Sequence, residues 1–233
     1  MKLAVIPARC GSKRIPKKNI KHFLGKPIIA YSIEVAIESG CFDKVIVSTD
    51  DEEIAEIARQ HGAEVPFMRP PELSDDHTGT NDVVKHAINW YTEQNINIEY
   101  ACCIYATSPF LQSQSLQEGL KQLQASDHSY AFSVTSFPFP IQRAIKINNK
   151  GNVEAFYPEH IFTRSQDLEE AYHDAGQFYW GKSSAFINDE VVFSNISIPI
   201  ILPRHLVQDI DTLEDWRRAE LMYKTLQLEG IFK

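Results

Sequence analysis

The stretch Val5-Ile-Pro-Ala-Arg-Cys-Gly-Ser-Lys-Arg-Ile-Pro-Lys-Lys-Asn-Ile-Lys21 changes character abruptly. It closes a short apolar run that begins at Leu3 and reads as a buried strand. It then turns basic, with Arg9, Lys13, Arg14, Lys17, Lys18 and Lys21, and no acidic residue precedes Glu34 in a chain of net charge −8. Pro7 and Pro16 fix the backbone on either side, and Gly11 permits dihedrals that other residues adopt only at a cost. Backbone N–H groups backed by Arg and Lys make a concave anion site suited to phosphates. A basic run that merely faces water is the competing reading. The strand before it and the rigid Pro/Gly frame favour the anion site.

Beyond this stretch, strands and helices alternate. Gly25-Lys-Pro27 opens a helix with Ile29, Ile33, Ala36 and Ile37 on one face, and Gly40 ends it. Val45 to Val47 is a strand, followed by Ser48-Thr-Asp-Asp51. There Asp50 and Glu53 form a capping-box pattern for a helix with Ile54, Ile57 and Ala58 inward. A loop from Arg69 to Asn81 precedes a helix capped by Thr80, with Val84, Ala87, Ile88 and Tyr91 inward. Ala101 to Tyr105 and Tyr130 to Val134 are strands around a helix at Ser115 to Leu123. This order predicts an α/β fold, Rossmann-like, with a mostly parallel sheet and helices on both faces.

The alternation breaks at about residues 136–175. Two extended pieces, Arg143 to Ile147 and Val153 to Phe156, flank Asn148-Asn-Lys-Gly151, and a polar stretch runs from Glu159 to Tyr172. This reads as an inserted hairpin and arm within one domain spanning 1–233. Strands resume at Gln177 to Trp180 and Ile198 to Leu202. A final helix carries Trp216, Ala219, Tyr223 and Leu226 on one stripe.

With 43% hydrophobic and 23% charged residues, the composition is that of a globular domain with a sizeable core. The acidic balance disfavours nucleic acid and anionic membranes as partners, so the local cations point to a small anion. The four cysteines, Cys10, Cys41, Cys102 and Cys103, have no metal or redox spacing. Free thiols and the absence of a leader or membrane-length apolar run predict a soluble, cytoplasmic protein.

Ligands of open α/β sheets bind beyond the carboxyl ends of the strands. The basic loop, Ser48 to Asp51, Ala106-Thr-Ser-Pro109 and the Asp209/Asp211 pair should meet there. Cations and paired carboxylates at one mouth suggest a metal-assisted nucleotide site, since Mg²⁺ takes one or two carboxylates and completes its shell with phosphate oxygens and water. Neither a P-loop nor a G-x-G-x-x-G fingerprint is present. Three alternatives stay open on spacing alone. Asp211 with Glu214 fits a capping box, Arg69 fits a loop salt bridge, and His173-Asp174 fits either a catalytic pair or a polar arm.

Ile6 to Asn19 closely resembles the signature of the CMP-sialic acid synthetase family. Val47-Ser-Thr-Asp-Asp51, Arg69-Pro-Pro-Glu-Leu73, Thr107-Ser-Pro109 and Asp209-Ile-Asp211 follow in the family's order, so the resemblance covers nearly the whole chain. Tyr172-His-Asp-Ala-Gly-Gln-Phe-Tyr-Trp-Gly181 resembles the branch that activates pseudaminic acid. The resemblance implies transfer of CMP from CTP to a nonulosonic acid, with Mg²⁺ and release of pyrophosphate. It implies Arg9, Ser12, Lys13 and Lys18 on the triphosphate, with Arg9 and Lys18 catalytic. It also implies Asn19, Arg69 and Thr80 on the cytidine, and Asp209 and Asp211 on the metal. Tyr105, Arg164, Gln177 and Tyr179 would contact the sugar, and the arm at 136–175 would form a homodimer. Tyr105 stands where the family commonly has glutamine, and Cys10 where it commonly has glycine or another residue. The first departure points away from ordinary sialic acid. Legionaminic acid, N-acetylneuraminic acid and KDO are the rival substrates, and a non-catalytic nucleotide-binding protein is the rival of another class.

Overall fold

In the computed structural model, which describes residues 1–75 and 78–232, β1 (Lys2–Pro7) opens the chain. After the basic loop come a small hairpin, β2 (His22–Phe23) and β3 (Lys26–Pro27), and helix α1 (Ile28–Glu38). Next are β4 (Lys44–Ser48), α2 (Glu52–Gln60), α3 (Thr80–Glu93), β5 (Tyr100–Ile104), α4 (Ser113–Gln124) and β6 (Tyr130–Ser136). The insertion carries a second hairpin, β7 (Ile145–Ile147) and β8 (Val153–Ala155). It is followed by β9 (Tyr172–Lys182), α5 (Ser183–Ile187), β10 (Ser197–Ile201) and α6 (Leu213–Leu228).

Six strands form one sheet in the order β10-β6-β9-β5-β1-β4. β1 is parallel to both β4 and β5, and β10 is parallel to β6, whereas β9 runs antiparallel between β5 and β6. Alternation along each strand divides the core. Ala4, Ile6, Cys102 and Trp180 pack with α1, α2 and α4 on one face, and Leu3, Val5, Cys103 and Tyr179 with α3 and α5 on the other. A third cluster sets Trp216 and Tyr223 of α6 against Ile15, Phe23 and Ile28, which anchors the basic loop to the C-terminal helix. Trp180 is fully buried, stacks on Phe42 at 4.7 Å and donates from Nε1 to the Leu116 carbonyl. Helix α4 crosses the sheet closely at Gly119, where a Cβ would sit 2.9 Å from the Trp180 ring.

Several local expectations shift. The strand expected from Gln177 begins at Tyr172, because its polar first half pairs with β6 through Thr135↔His173 and Val134↔Asp174. That half projects past the apolar core, so hydrophobic alternation does not mark it. Ile37 is 46% exposed rather than inward. Three caps fall one residue from the expected position. Asp51, not Asp50, caps α2 by accepting from the Ile54 amide; Gly79, not Thr80, precedes α3; and Thr212 with Asp215, not Asp211 with Glu214, makes the capping box of α6. Each displaced residue is thereby left for other contacts. Asp76 and His77 of the expected 69–81 loop lie outside the described residues.

Candidate active site

The basic loop leaves the carboxyl end of β1 beside that of β5, where the chain continues from β1 to β4 on one side and from β5 toward β6 on the other. This is the usual crevice for ligands in such sheets. Its shape is held from inside and from below. Asn19 donates to the Arg9 carbonyl at 2.9 Å, and Asp50 accepts from the Cys10 amide at 3.0 Å. Lys17, in the left-handed region at φ 51, pairs with Glu53 of α2. A hydrogen bond to Asp51, then slight desolvation of the otherwise exposed side chain, push the Cys10 thiol up, which favours the neutral thiol over a thiolate nucleophile. Ser48 to Asp51 therefore braces the loop from behind rather than lining the site.

In front of the loop lies a cleft of about 520 Å³ lined by Arg9, Ser12, Lys13, Lys18, Asn19, Arg69 and Thr80, together with Tyr105 and Asp211. These include all the residues expected on the nucleotide, brought together from α3 and the loops that follow the strands. Arg14, Thr78 and Thr107 also line it. Arg14 belongs to the basic stretch, so its charge is a signal that sequence offers, whereas nothing in the sequence marks Thr78.

Arg69 stands out energetically. Its residue is 6% exposed, and its Nε and Nη2 donors have no hydrogen-bond partner among the described residues. Burial, opposed by the nearby Asp50 charge, lowers its pKa. An unpaired buried guanidinium is costly, and an acceptor-rich ligand in the cleft would satisfy it.

Lys18 crosses to the far end of the chain, donating to the Ile210 carbonyl at 2.8 Å and to Asp211 at 3.3 Å, while Arg14 pairs with the other Asp211 oxygen at 2.8 Å. Asp209 lines the adjoining cleft rather than this one; partial burial of its carboxyl, then the Asp211 charge, raise its pKa, with Lys18 opposing. Two electrostatically coupled oxygen donors suit a hard cation. No cluster of three metal-ligating side chains occurs among the described residues, so such an ion would take the rest of its shell from phosphate and water.

A second cleft of about 770 Å³ adjoins the first, and Tyr105 lines both. Asp209, His173, Asp174, Arg204, His205 and Arg218 surround it. The cations Arg204 and Arg218 belong to no motif, and no spacing in the sequence marks them. The other residues expected on the sugar are placed differently. Gln177 is buried and donates to the Leu206 carbonyl at 2.6 Å, fixing the turn that leads to Asp209. Tyr179 is buried behind Tyr105. Arg164 is out on the arm, paired with Asp167 at 2.7 Å, and lines neither cleft. His173 meets the Asp174 carbonyl rather than its carboxylate, so the two are not an imidazole–carboxylate pair.

Residues 3–215 match the cytidylyltransferase family. The chain is 47% identical over 222 residues to the pseudaminic acid cytidylyltransferase of Campylobacter jejuni serotype O:2, covering 95% of this chain and 96% of that one. It is 30% identical to the CMP-N,N'-diacetyllegionaminic acid synthase of Legionella pneumophila, covering 97% of each. Among solved structures it resembles a CMP:2-keto-3-deoxy-manno-octonic acid synthetase complexed with CTP, with a TM-score of 0.69 at 15% identity, covering 96% of this chain and 98% of that one.

Proposed function

The chain belongs to the cytidylyltransferase family, and from that membership we propose that it transfers CMP from CTP to the anomeric hydroxyl of pseudaminic acid. The sugar oxygen forms a new bond to the α-phosphorus, the bond from that phosphorus to the bridging oxygen breaks, and pyrophosphate leaves. The hydroxyl proton is released and the sugar C–O bond is kept. The observation that carries the reading is Arg69, a buried guanidinium with two unpartnered donors in a cleft otherwise walled by the basic loop.

Arg9, Ser12, Lys13 and Lys18 hold the triphosphate, with Arg9 and Lys18 offsetting charge on the reacting phosphate and the departing pyrophosphate. Asn19, Arg69 and Thr80 are assigned to the cytidine. The second cleft, joined to the first through Tyr105, takes the sugar acid, and holding the two substrates in line supplies part of the barrier reduction. Asp209 and Asp211 would hold Mg²⁺, which when bound offsets charge on phosphate oxygens.

We assign the arm at 136–175 to a two-fold dimer within a single 1–233 domain. Support comes from apolar side chains that face solvent along it, with Phe139, Ile147 and Phe162 at 78%, 75% and 96% exposure. In such a dimer Arg164 would serve the neighbour's cleft. The four free cysteines agree with a reducing, cytoplasmic setting, and no helix among the described residues is long and apolar enough to cross a membrane.

The test is incubation with CTP, Mg²⁺ and a panel of pseudaminic, legionaminic and N-acetylneuraminic acids and KDO, with CMP-sugars read by mass spectrometry. CMP-pseudaminic acid is the expected dominant product. Turnover of another acid alone would reassign the substrate, and CTP binding without pyrophosphate from any acid would leave a nucleotide-binding protein.

A further inference from the structure

The wall between the two clefts is built from packed side chains around Tyr105, with one carboxylate holding two of its neighbours. Tyr105, just beyond β5, packs its ring against that of Tyr179 of β9, with centroids 5.4 Å apart, and lines the first cleft together with Thr80 at the start of α3. The Tyr179 hydroxyl donates to the Asp174 carboxylate. The other Asp174 oxygen accepts from the Gly176 amide at 2.9 Å. Gly176 has φ +61 and lies under the Tyr105 ring, so close that a Cβ there would sit 3.9 Å from it. Tyr179 is also clamped by its rings: it lies parallel to Phe132 at 6.0 Å and tilted against Tyr105 at 5.4 Å.

A carboxylate only accepts, and a phenol has one proton. Tyr179 therefore gives its proton to Asp174, whose other oxygen holds the Gly176 amide. The two groups that flank the Tyr105 ring, the Tyr179 ring and the Gly176 backbone, are thus tied to one carboxylate. Thr80 and Tyr105 line the first cleft and Tyr105 and Asp174 the second, so this wall spans the boundary.

We infer that Asp174 and Tyr179 are positioning residues for sugar-acid selection, acting through the orientation of the Tyr105 phenol rather than by touching CTP. The inference rests on the functional reading above, because it presumes that the second cleft takes the sugar acid. It accounts for a tyrosine at 105: a ring packed between Tyr179 and Gly176 presents a fixed edge to the second cleft, whereas an amide there would present both donor and acceptor. Asp174→Asn keeps an acceptor for the Gly176 amide but turns an NH₂ toward Tyr179, which removes the acceptor of the Tyr179 hydroxyl and loosens the ring that backs Tyr105.

The experiment compares the wild type, Asp174→Asn and Tyr179→Phe in steady-state kinetics with each substrate varied, beside calorimetric CTP binding and thermal unfolding. A hydrogen bond to a charged group supports an expectation of roughly tenfold or more in KM for the sugar acid. CTP affinity should stay within about twofold, and selectivity over a second nonulosonic acid should fall. Tyr179→Phe, which keeps the buried ring, covers the case in which Asp174→Asn folds poorly. An equal rise in both KM values, or an unchanged sugar KM in both variants of an active enzyme, overturns the inference. No CMP-sugar from the wild type with any acid overturns the functional reading instead.

Discussion

Arg14 Nη2 lies 2.8 Å from one Asp211 oxygen while Lys18 Nζ lies 3.3 Å from the other. The carboxylate assigned to the metal is thus neutralised by two cations of the loop assigned to the phosphates. A divalent ion arriving alone must displace them, whereas an ion arriving with a triphosphate gives each cation a new partner. Metal binding and nucleotide binding should therefore be positively coupled, and by linkage equally so in both directions. Titration with Mn²⁺, with and without CTP, should show weak binding alone and clear strengthening by the nucleotide. Arg14→Ala should tighten Mn²⁺ binding in the absence of CTP.

The cap of α6 separates fold from function at adjacent residues. Thr212 accepts from the Asp215 amide, and Asp215 returns a carboxylate to the Thr212 amide. Thr212→Ala should cost about 1 kcal/mol of stability and leave turnover near normal. Asp211→Asn, like Arg9→Ala, should cut turnover strongly with little change in melting temperature. Full Mg²⁺-dependent activity in Asp211→Asn would remove the metal role.

Replacing Arg69 by methionine keeps a long side chain and removes the unpaired donors. Because the guanidinium is buried without full compensation, Arg69→Met should leave the ligand-free protein as stable as wild type or more so. CTP affinity should fall by roughly ten- to a hundredfold, from the loss of about 1.5–3 kcal/mol of charged hydrogen bonding. Calorimetry and thermal unfolding of the same samples check both halves.

Asp209 offers a pH signature. Its folded-state pKa lies above the ordinary carboxylate value, first from burial of the carboxyl and then from Asp211. The folded state thus disfavours its charged form. Its contribution to stability is complete below the ordinary value and is lost as pH rises through the raised one. Asp209→Asn should stabilise the metal-free protein near pH 7, and the difference should vanish below about pH 4. Melting curves in chelator across that range test it, and added Mg²⁺ should reverse the wild-type trend.

Gly181 tests the packing of the antiparallel strand. A Cβ there would lie 2.6 Å from Phe186 and 2.7 Å from Tyr130, both rings of the buried core. Gly181→Ala should destabilise by about 1–3 kcal/mol, seen as a lower denaturation midpoint.

Because apolar periodicity is local and each inward face must be buried, the order of residues was enough to establish the alternation of β1, β4, β5 and β6 with the helices between them, though not the small β2–β3 hairpin where a helix start was expected. It was also enough to locate the anion loop, since no acidic residue dilutes the charge from Arg9 to Lys21. Which strand lies between β5 and β6 emerged only from the folded chain, where β9 runs antiparallel with a polar first half. So did the contact of Asp211 with Lys18 in place of a cap on α6. A one-residue choice of cap leaves the pattern of residue types almost unchanged, yet it turns a carboxylate from a helix end into a cleft. Burial made the last distinctions: Gln177 and Tyr179 face neighbours rather than the cleft, and Arg69 keeps two donors open. Whether a polar side chain is satisfied depends on atoms far away in the chain, which spacing does not reveal.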